Sequence, residues 1–381
     1  MLIKNGFVFI ASENGFIKKD IEIKDGKIIA VGNGLVSSCN ETLDAEGKYI
    51  TPGFIDAHSH IGIGEESMGW EGADYNEGTD PVTPAMRAID AINPMNISFI
   101  EAIKGGVTTV CTGPGSANVI GGQFTTISLS GNVIDEMIIQ EYAAMKCAFG
   151  ENPKRFHGRE KSKMPMTRMG TAYLLRKAIQ DTKNYIIKKQ FALNKGEEFP
   201  IDLNMEAMIP VIEKRVHLKA HAHRADDICT AIRIAKEFDL LVSIEHCTEG
   251  HLISDFLKNA NVPAIIGPTF SARSKIELMN KSFETPKILH QAGVKFAIMT
   301  DHHVIPQYAL VMCAALAMKG GLPEVEALNA ITKNPAEILG IDNLKGQIKV
   351  GLDADIVIWD RHPFDLQGTT ERVYIKGKQV I

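Results

Sequence analysis

Short apolar runs, alternating with polar positions and bounded by turn-forming dipeptides, open the chain. Leu2-Ile3 with residues 7–9, then residues 20–23 and 27–31, are separated by Asn5-Gly6 and Asp25-Gly26. Asn, Asp and Gly tolerate positive φ, so this pattern predicts antiparallel hairpins with turns at those two dipeptides. Residues 355–359 and 372–375 repeat the style near the other end, and Lys376-Gly377-Lys378 turns into a last run at 379–381. Neither segment holds enough strands to be stable alone, so the two termini are expected to pair into one small β-sandwich domain, residues 1–51 with 345–381.

From residue 52 to residue 344 the pattern changes to short buried-strand runs alternating with amphipathic helical stretches, the mark of βα units. Candidate strands fall at 54–57, 108–112, 124–129, 143–149, 216–220, 241–245, 264–266 and 296–300. Eight such units over this length predict an α/β fold, a closed (β/α)₈ TIM-type barrel rather than an open doubly wound sheet. Residues 151–210 exceed one loop and one helix, and helices are expected near 171–192 and 205–214.

Composition changes this picture little. With 45% hydrophobic and 23% charged residues in 381, a large core is feasible and disorder is not suggested. The net charge of −5 and scattered Lys and Arg offer no concentrated basic face, so neither nucleic acid nor an anionic membrane is expected as a partner. The six cysteines, Cys39, Cys111, Cys147, Cys229, Cys247 and Cys313, form no CxxC pair and read as thiols in a reducing compartment. The start of the chain lacks signal-peptide features and no run of roughly 18 apolar residues occurs, so the cytoplasm is the expected location.

Chemistry concentrates where barrel strands end. In Phe54-Ile55-Asp56-Ala57-His58-Ser59-His60, residues two apart in a strand point to one side, so His58 and His60 can reach one metal ion. His221 and His223 follow the run at 216–220, His246 caps the run at 241–245, and Asp301 stands at the end of the run at 296–300. Folding alone gives no reason to place histidines and an aspartate at these ends, whereas active sites on this barrel gather there. His157, His217, His251, His290 and His362 have no such position and are read as structural.

The stretches PGFIDAHSH, HAHRADD, SIEHC and MTDHH resemble the signatures of the amidohydrolase superfamily at strands one, five, six and eight, and the resemblance spans essentially the whole chain. More narrowly the chain is similar to imidazolonepropionase-related and prolidase-like members. The resemblance implies metal ligation by His58, His60, His221, His246 and Asp301. It also implies one or two divalent ions, zinc first, with iron, manganese or nickel as alternatives. In two-metal members a carboxylated lysine on strand four bridges the ions, and Lys146, inside an apolar run where a bare ammonium is costly, is preferred for that role over Glu151 as the strand-four ligand.

The expected reaction is hydrolysis of a carbon–nitrogen bond in a cyclic amide, N-acyl amino acid or dipeptide. Asp301 is the expected ligand and base, with His246 and His223 facing the developing oxyanion. Glu151, His223, Arg224 and His302 are candidate substrate contacts, carried with the loops at 62–83, 112–123 and 150–169. Lys154, Arg155, Arg159 and Arg168 on the last loop would suit a substrate carboxylate. A homo-oligomer acting on a small molecule is expected. A one-metal hydrolytic deaminase and an inactive barrel used for binding are the alternatives. The glycines at 113–122 lack the spacing of a dinucleotide cradle.

Overall fold

The computed structural model describes residues 1–36 and 41–381, so Cys39 lies outside the described residues. The N-terminal strands are β1 (Leu2–Ile10), β2 (Gly15–Lys24), β3 (Lys27–Gly32), β4 (Thr42–Asp44) and β5 (Tyr49–Pro52). The eight strands of the central sheet follow as β6 (Phe54–Ser59), β7 (Val107–Thr112), β8 (Ile120–Ser128), β9 (Ile138–Ala148), β10 (His217–Ala222), β11 (Val242–His246), β12 (Ala264–Ile266) and β13 (Phe296–Ile298). The chain ends with β14 (Ile356–Trp359), β15 (Thr370–Ile375) and β16 (Lys378–Gln379).

The termini pair as expected. The terminal sheet runs β16-β15-β14-β5-β1-β2-β3, with β4 also on β1, and the antiparallel β5–β14 pair joins the two ends of the chain. Its own core includes Ile3, Val8, Ile21, Ile50, Ile356 and Ile358. Asp25-Gly26 makes the expected turn between β2 and β3, but Asn5-Gly6 does not turn the chain. Asn5 takes positive φ inside β1, where the register against β2 shifts, and the reversal comes at Ala11–Glu13. A β-bulge and a hairpin turn ask for the same left-handed residue, so the dipeptide alone could not separate them.

All eight barrel strands fall where the apolar runs predicted, in the order β6 to β13 around the sheet. One expectation is overturned: the barrel is not eight repeated strand-and-helix units. β8 runs antiparallel to both β7 and β9. Only residues 113–119 join β7 to β8, too few for the helical crossover that a parallel return needs. The remaining neighbours are parallel.

The seam between β6 and β13 is closed by other means than a strand ladder. Ile55 N–H donates to Ile331 O at 2.8 Å and Ile298 N–H to Ala330 O at 2.9 Å, so the backbone at 330–331 is wedged between first and last strands. Above it, Asp56 Oδ2 accepts from Thr300 N–H at 3.0 Å, Thr300 Oγ1 at 2.7 Å and Gln307 Nε2 at 2.7 Å. These bonds fix the end of β13 against β6. Burial raises the Asp56 carboxyl to about 6 in spite of them. No helix among the described residues is long and apolar enough to cross a membrane.

Candidate metal centre

The five histidines that the sequence marked, His58, His60, His221, His223 and His246, converge beneath one mouth of the barrel with Asp301. The ring centroids of His221 and His246 are 4.3 Å apart, those of His223 and His246 4.4 Å, and those of His58 and His246 5.7 Å. Asp301 Oδ1 lies 3.3 Å from His60 Nε2 and 3.6 Å from His58 Nε2. The donors form two groups, His58 with His60 and Asp301, and His221 with His223 and His246.

Hydrogen bonds through Nδ1 turn three of the rings so that Nε2 points inward. His60 Nδ1 donates to Gly113 O at 2.6 Å, His246 Nδ1 to Gly267 O at 2.8 Å, and His58 Nδ1 to the Glu245 carboxylate at 2.7 Å. A ring that donates through Nδ1 presents an unprotonated Nε2 to a cation. Burial, helped by neighbouring cationic groups, holds His58, His221, His223 and His246 well below the ordinary histidine range, so they are neutral near pH 7. Burial alone would raise Asp301, but His246, His60 and Lys146 hold its carboxyl below the usual value. Neutral imidazoles and an ionised carboxylate are the donor set a borderline divalent ion takes. The residues present therefore fit such an ion.

Lys146 is fully buried on β9, 3.3 Å from His58 Nε2. Burial lowers its ammonium to about 8. Lys219 on β10 is also buried but is neutralised by Glu245 at 3.0 Å, whereas Lys146 has no carboxylate within ion-pair distance among the described residues. Backbone strain also gathers here: His246 and Asp301 both take left-handed φ, 70° and 55°. Such conformations are costly for residues other than glycine and persist where surrounding bonds dictate them.

The cavity above these groups has a volume of about 270 Å³. His60, His221, His223, His246 and Asp301 form its floor, with His58 and Lys146 off its surface. Its walls take Tyr75 and Asn76 from the loop after β6, Gly115 and Ser116 from that after β7, and Asn152 from that after β9. They also take Pro268, Ser274 and Lys275 from the loop after β12, which the sequence reading passed over. A larger cavity of about 440 Å³ lies between barrel and terminal sheet beside Tyr308 and Trp359, but its lining has no cluster of histidines, so we place the chemistry in the smaller one.

The other expected substrate contacts separate. His223 faces the cavity, but Arg224 is turned onto Asp226 at 3.0 Å, and Glu151 lines an outer groove with Lys154, Arg155 and Arg159. Arg168 is held by Asp227 at 2.9 Å. His302 is buried with Nδ1 accepting from Gln307 N–H at 3.1 Å, and His303 rather than His302 reaches the cavity wall, its ring tilted against that of Tyr75. No spacing signal marked it, because residues 301–304 form a turn past β13 with Asp301 at positive φ, where strand alternation does not set side-chain direction. The five histidines read as structural stay off the cavity floor; His157, for example, is bonded to Asn118 at 2.7 Å.

A barrel with histidines and an aspartate at its strand ends defines a class of metal-dependent hydrolases, and comparison with known proteins is consistent with that class. The model of the amidohydrolase family matches residues 177–380. An amidohydrolase of Thermotoga maritima MSB8, known from its crystal structure, is 44% identical with a TM-score of 0.97, covering 100% of this chain and 99% of that one. The imidazolonepropionase of Bacillus cytotoxicus is 24% identical over 90% of this chain and 83% of its own. The amidohydrolase tasK of Hapsidospora irregularis is 30% identical over 94% of this chain, which spans 39% of that longer protein. The chain belongs to the amidohydrolase family, which classes it among hydrolases of carbon–nitrogen bonds.

Proposed function

We propose that the protein hydrolyses a carbon–nitrogen bond of a small molecule, of cyclic amide, N-acyl amino acid or dipeptide type, with one or two divalent ions held by His58, His60, Lys146, His221, His246 and Asp301. The observation that carries this is the meeting of His60 and Asp301 on a cavity floor with His58 directly behind them, and buried Lys146, without a carboxylate partner among the described residues, beside His58. A divalent ion bound there supplies Lewis acidity, acidifying water and polarising a carbonyl. Zinc suits the donors best.

Asp301 takes the proton from the attacking water and returns it to the leaving nitrogen. Its position is set from below by the Asp56–Thr300 bonds. His223, whose Nε2 has no hydrogen-bond partner among the described residues, faces the carbonyl oxygen as negative charge develops on it, whereas His246, donating through Nδ1 to Gly267 O and keeping Nε2 for an ion, has no proton to offer there. Lys146, whose ammonium burial lowers to about 8, gives up its proton far more readily than an ordinary lysine and is the amine that carbon dioxide would convert into a metal-holding carbamate. The free thiols among the described cysteines support a reducing, cytoplasmic setting. The terminal strands, residues 1–51 with 345–381, we read as a separate sandwich-type domain with its own core, and residues 52–344 as the catalytic barrel.

The test is Asp301→Asn, assayed against a panel of N-acyl amino acids, dipeptides, cyclic amides and aminated rings together with metal analysis. Turnover is expected to vanish while some metal is retained. Full activity in metal-loaded Asp301→Asn would remove Asp301 from this role. Ammonia release from an aminated ring, with one ion per chain, would favour the deaminase reading.

A further inference from the structure

Part of the cavity wall carries hydrogen-bond donors that the fold leaves unspent. Lys275 Nζ meets Asn152 Oδ1 at 3.0 Å and Glu277 Oε1 at 3.2 Å, and an ammonium has three N–H donors, so one is left over. The Asn152 amide is held by its own Nδ2, which donates to Ser116 Oγ at 2.8 Å, and the Ser116 hydroxyl keeps its proton to give. Asn76 accepts the Ala117 N–H through Oδ1 at 3.0 Å, and its Nδ2 has no acceptor among the described residues. A Cβ on Gly115 would stand 2.8 Å from that amide, so the glycine lets Asn76 lie against the loop that carries Ser116. Lys275, Asn152, Ser116 and Asn76 all line the cavity, whereas Glu277, 2% exposed, does not. The cavity therefore meets the positive end of the Lys275–Glu277 pair. Among the described residues lining it, Lys275 is the one lysine or arginine, and the one acid is Asp301 on the floor.

We propose that Lys275, Ser116 and Asn76 form a subsite for a carboxylate of the substrate, which narrows that substrate to an amide bearing a free carboxyl group, such as an N-acyl amino acid or a dipeptide. The inference rests on the hydrolase reading and selects within it. Lys275 Nζ and His221 Nε2 lie 3.2 Å and 4.0 Å from the same oxygen, Glu277 Oε1, so a carboxylate on the ammonium stays within a few bonds of a carbonyl over the floor. Lys275 and Ser274 also line the outer groove with Lys154, Arg155 and Arg159, where Glu151 is the one acid among the described lining residues. An anion approaching by that groove is drawn toward the cavity. The basic loop after β9 thus steers, and the contact itself falls to a lysine of the loop after β12.

Crystals of the full chain soaked in N-acetylglycine test the placement without turnover. The carboxylate of N-acetylglycine is expected on Lys275 Nζ and Ser116 Oγ; a carboxylate on the floor or outside the cavity, or no bound molecule, would overturn the inference. Kinetics read the consequence. For whichever N-acyl amino acid or dipeptide is hydrolysed fastest, kcat/KM should exceed that of its C-terminal carboxamide by about 10–100-fold, the worth of a charged hydrogen bond. In Lys275→Met that preference should collapse to near parity, chiefly through KM, and Lys275→Arg should restore part of it. Parity in the wild-type protein, or a preference undiminished in Lys275→Met, would overturn the inference and leave the hydrolase reading standing. N-acetylglycine seated on Lys275 in a protein that hydrolyses no amide would keep the subsite and remove the hydrolase reading. The wild-type map decides even if Lys275→Met fails to fold.

Discussion

Glu245 joins the stability of the barrel to the orientation of a ligand, and the two roles can be separated by mutation. Its Oε2 meets Lys219 Nζ at 3.0 Å and His58 Nδ1 at 2.7 Å, with the side chains of Glu245 and Lys219 0% and 2% exposed. Removing one partner of a buried pair strands the other charge, so Glu245→Leu should cost about 3–5 kcal/mol of stability. In Glu245→Leu with Lys219→Met both charges are gone, and an apolar pair of similar volume should restore most of that loss. His58 nevertheless loses the carboxylate that fixes its ring. Such losses typically weaken metal binding about 10–100-fold, or roughly 1.4–2.7 kcal/mol. Urea unfolding of the metal-free proteins reads the first effect, and zinc titration calorimetry the second. A double variant as unstable as the single one, or one that binds zinc with wild-type affinity, would refute this division.

Three further outcomes follow from the same geometry. His302 is lowered by burial from 6.5 to about 4, so between those pH values the unfolded chain binds the extra proton and acid favours unfolding. That window is worth on the order of 3 kcal/mol. The lowered cavity histidines act in the same direction and Asp56, raised to about 6, opposes them, so the melting temperature of the metal-free protein should fall from pH 7 to pH 5, and a flat profile would contradict it. Gly150 has φ of +79°, and a Cβ there would sit 2.7 Å from Glu277 Oε2; Gly150→Ala should lose about 1–3 kcal/mol in urea unfolding, and a variant as stable as wild type would count against this reading of the backbone. Asp56→Asn turns a donor toward Thr300 and Gln307 and should cost about 2 kcal/mol or more while lowering kcat; unchanged kcat would show that Asp301 does not depend on this support.

The strand positions were legible because the barrel strands, β9 in its second half, are buried on both faces and read as apolar runs. The direction of β8 was legible only in a loop length: a run at 108–112 followed by one at 124–129 leaves no room for a helix. Reading alternation of strand and helix as uniform overrode that count. Asn5-Gly6 failed for a different reason. Positive φ is a local property, whereas turn or bulge depends on which residues of β2 lie opposite.

Within the site, legibility divides by the kind of backbone that carries each residue. His58 and His60, and His221 and His223, sit on or just past strands where a period of two states which side a side chain takes. Glu277, Lys275 and Asn152 sit beyond strand ends, on a single-turn 3₁₀ segment, an irregular loop and a short helical turn, where no period relates sequence spacing to direction. Their meeting depends on the loop after β12 folding back over that after β9, a contact fixed by Glu277 with the Glu151 N–H and by Lys275 with Asn152. A charged residue in a loop has the same sequence appearance whether it is solvated or buried against a histidine. Burial decides the difference: a carboxylate 2% exposed must be compensated by charge, here by Lys275 at 3.2 Å. In this protein that compensation is what holds the ammonium of an unremarked loop on the cavity wall.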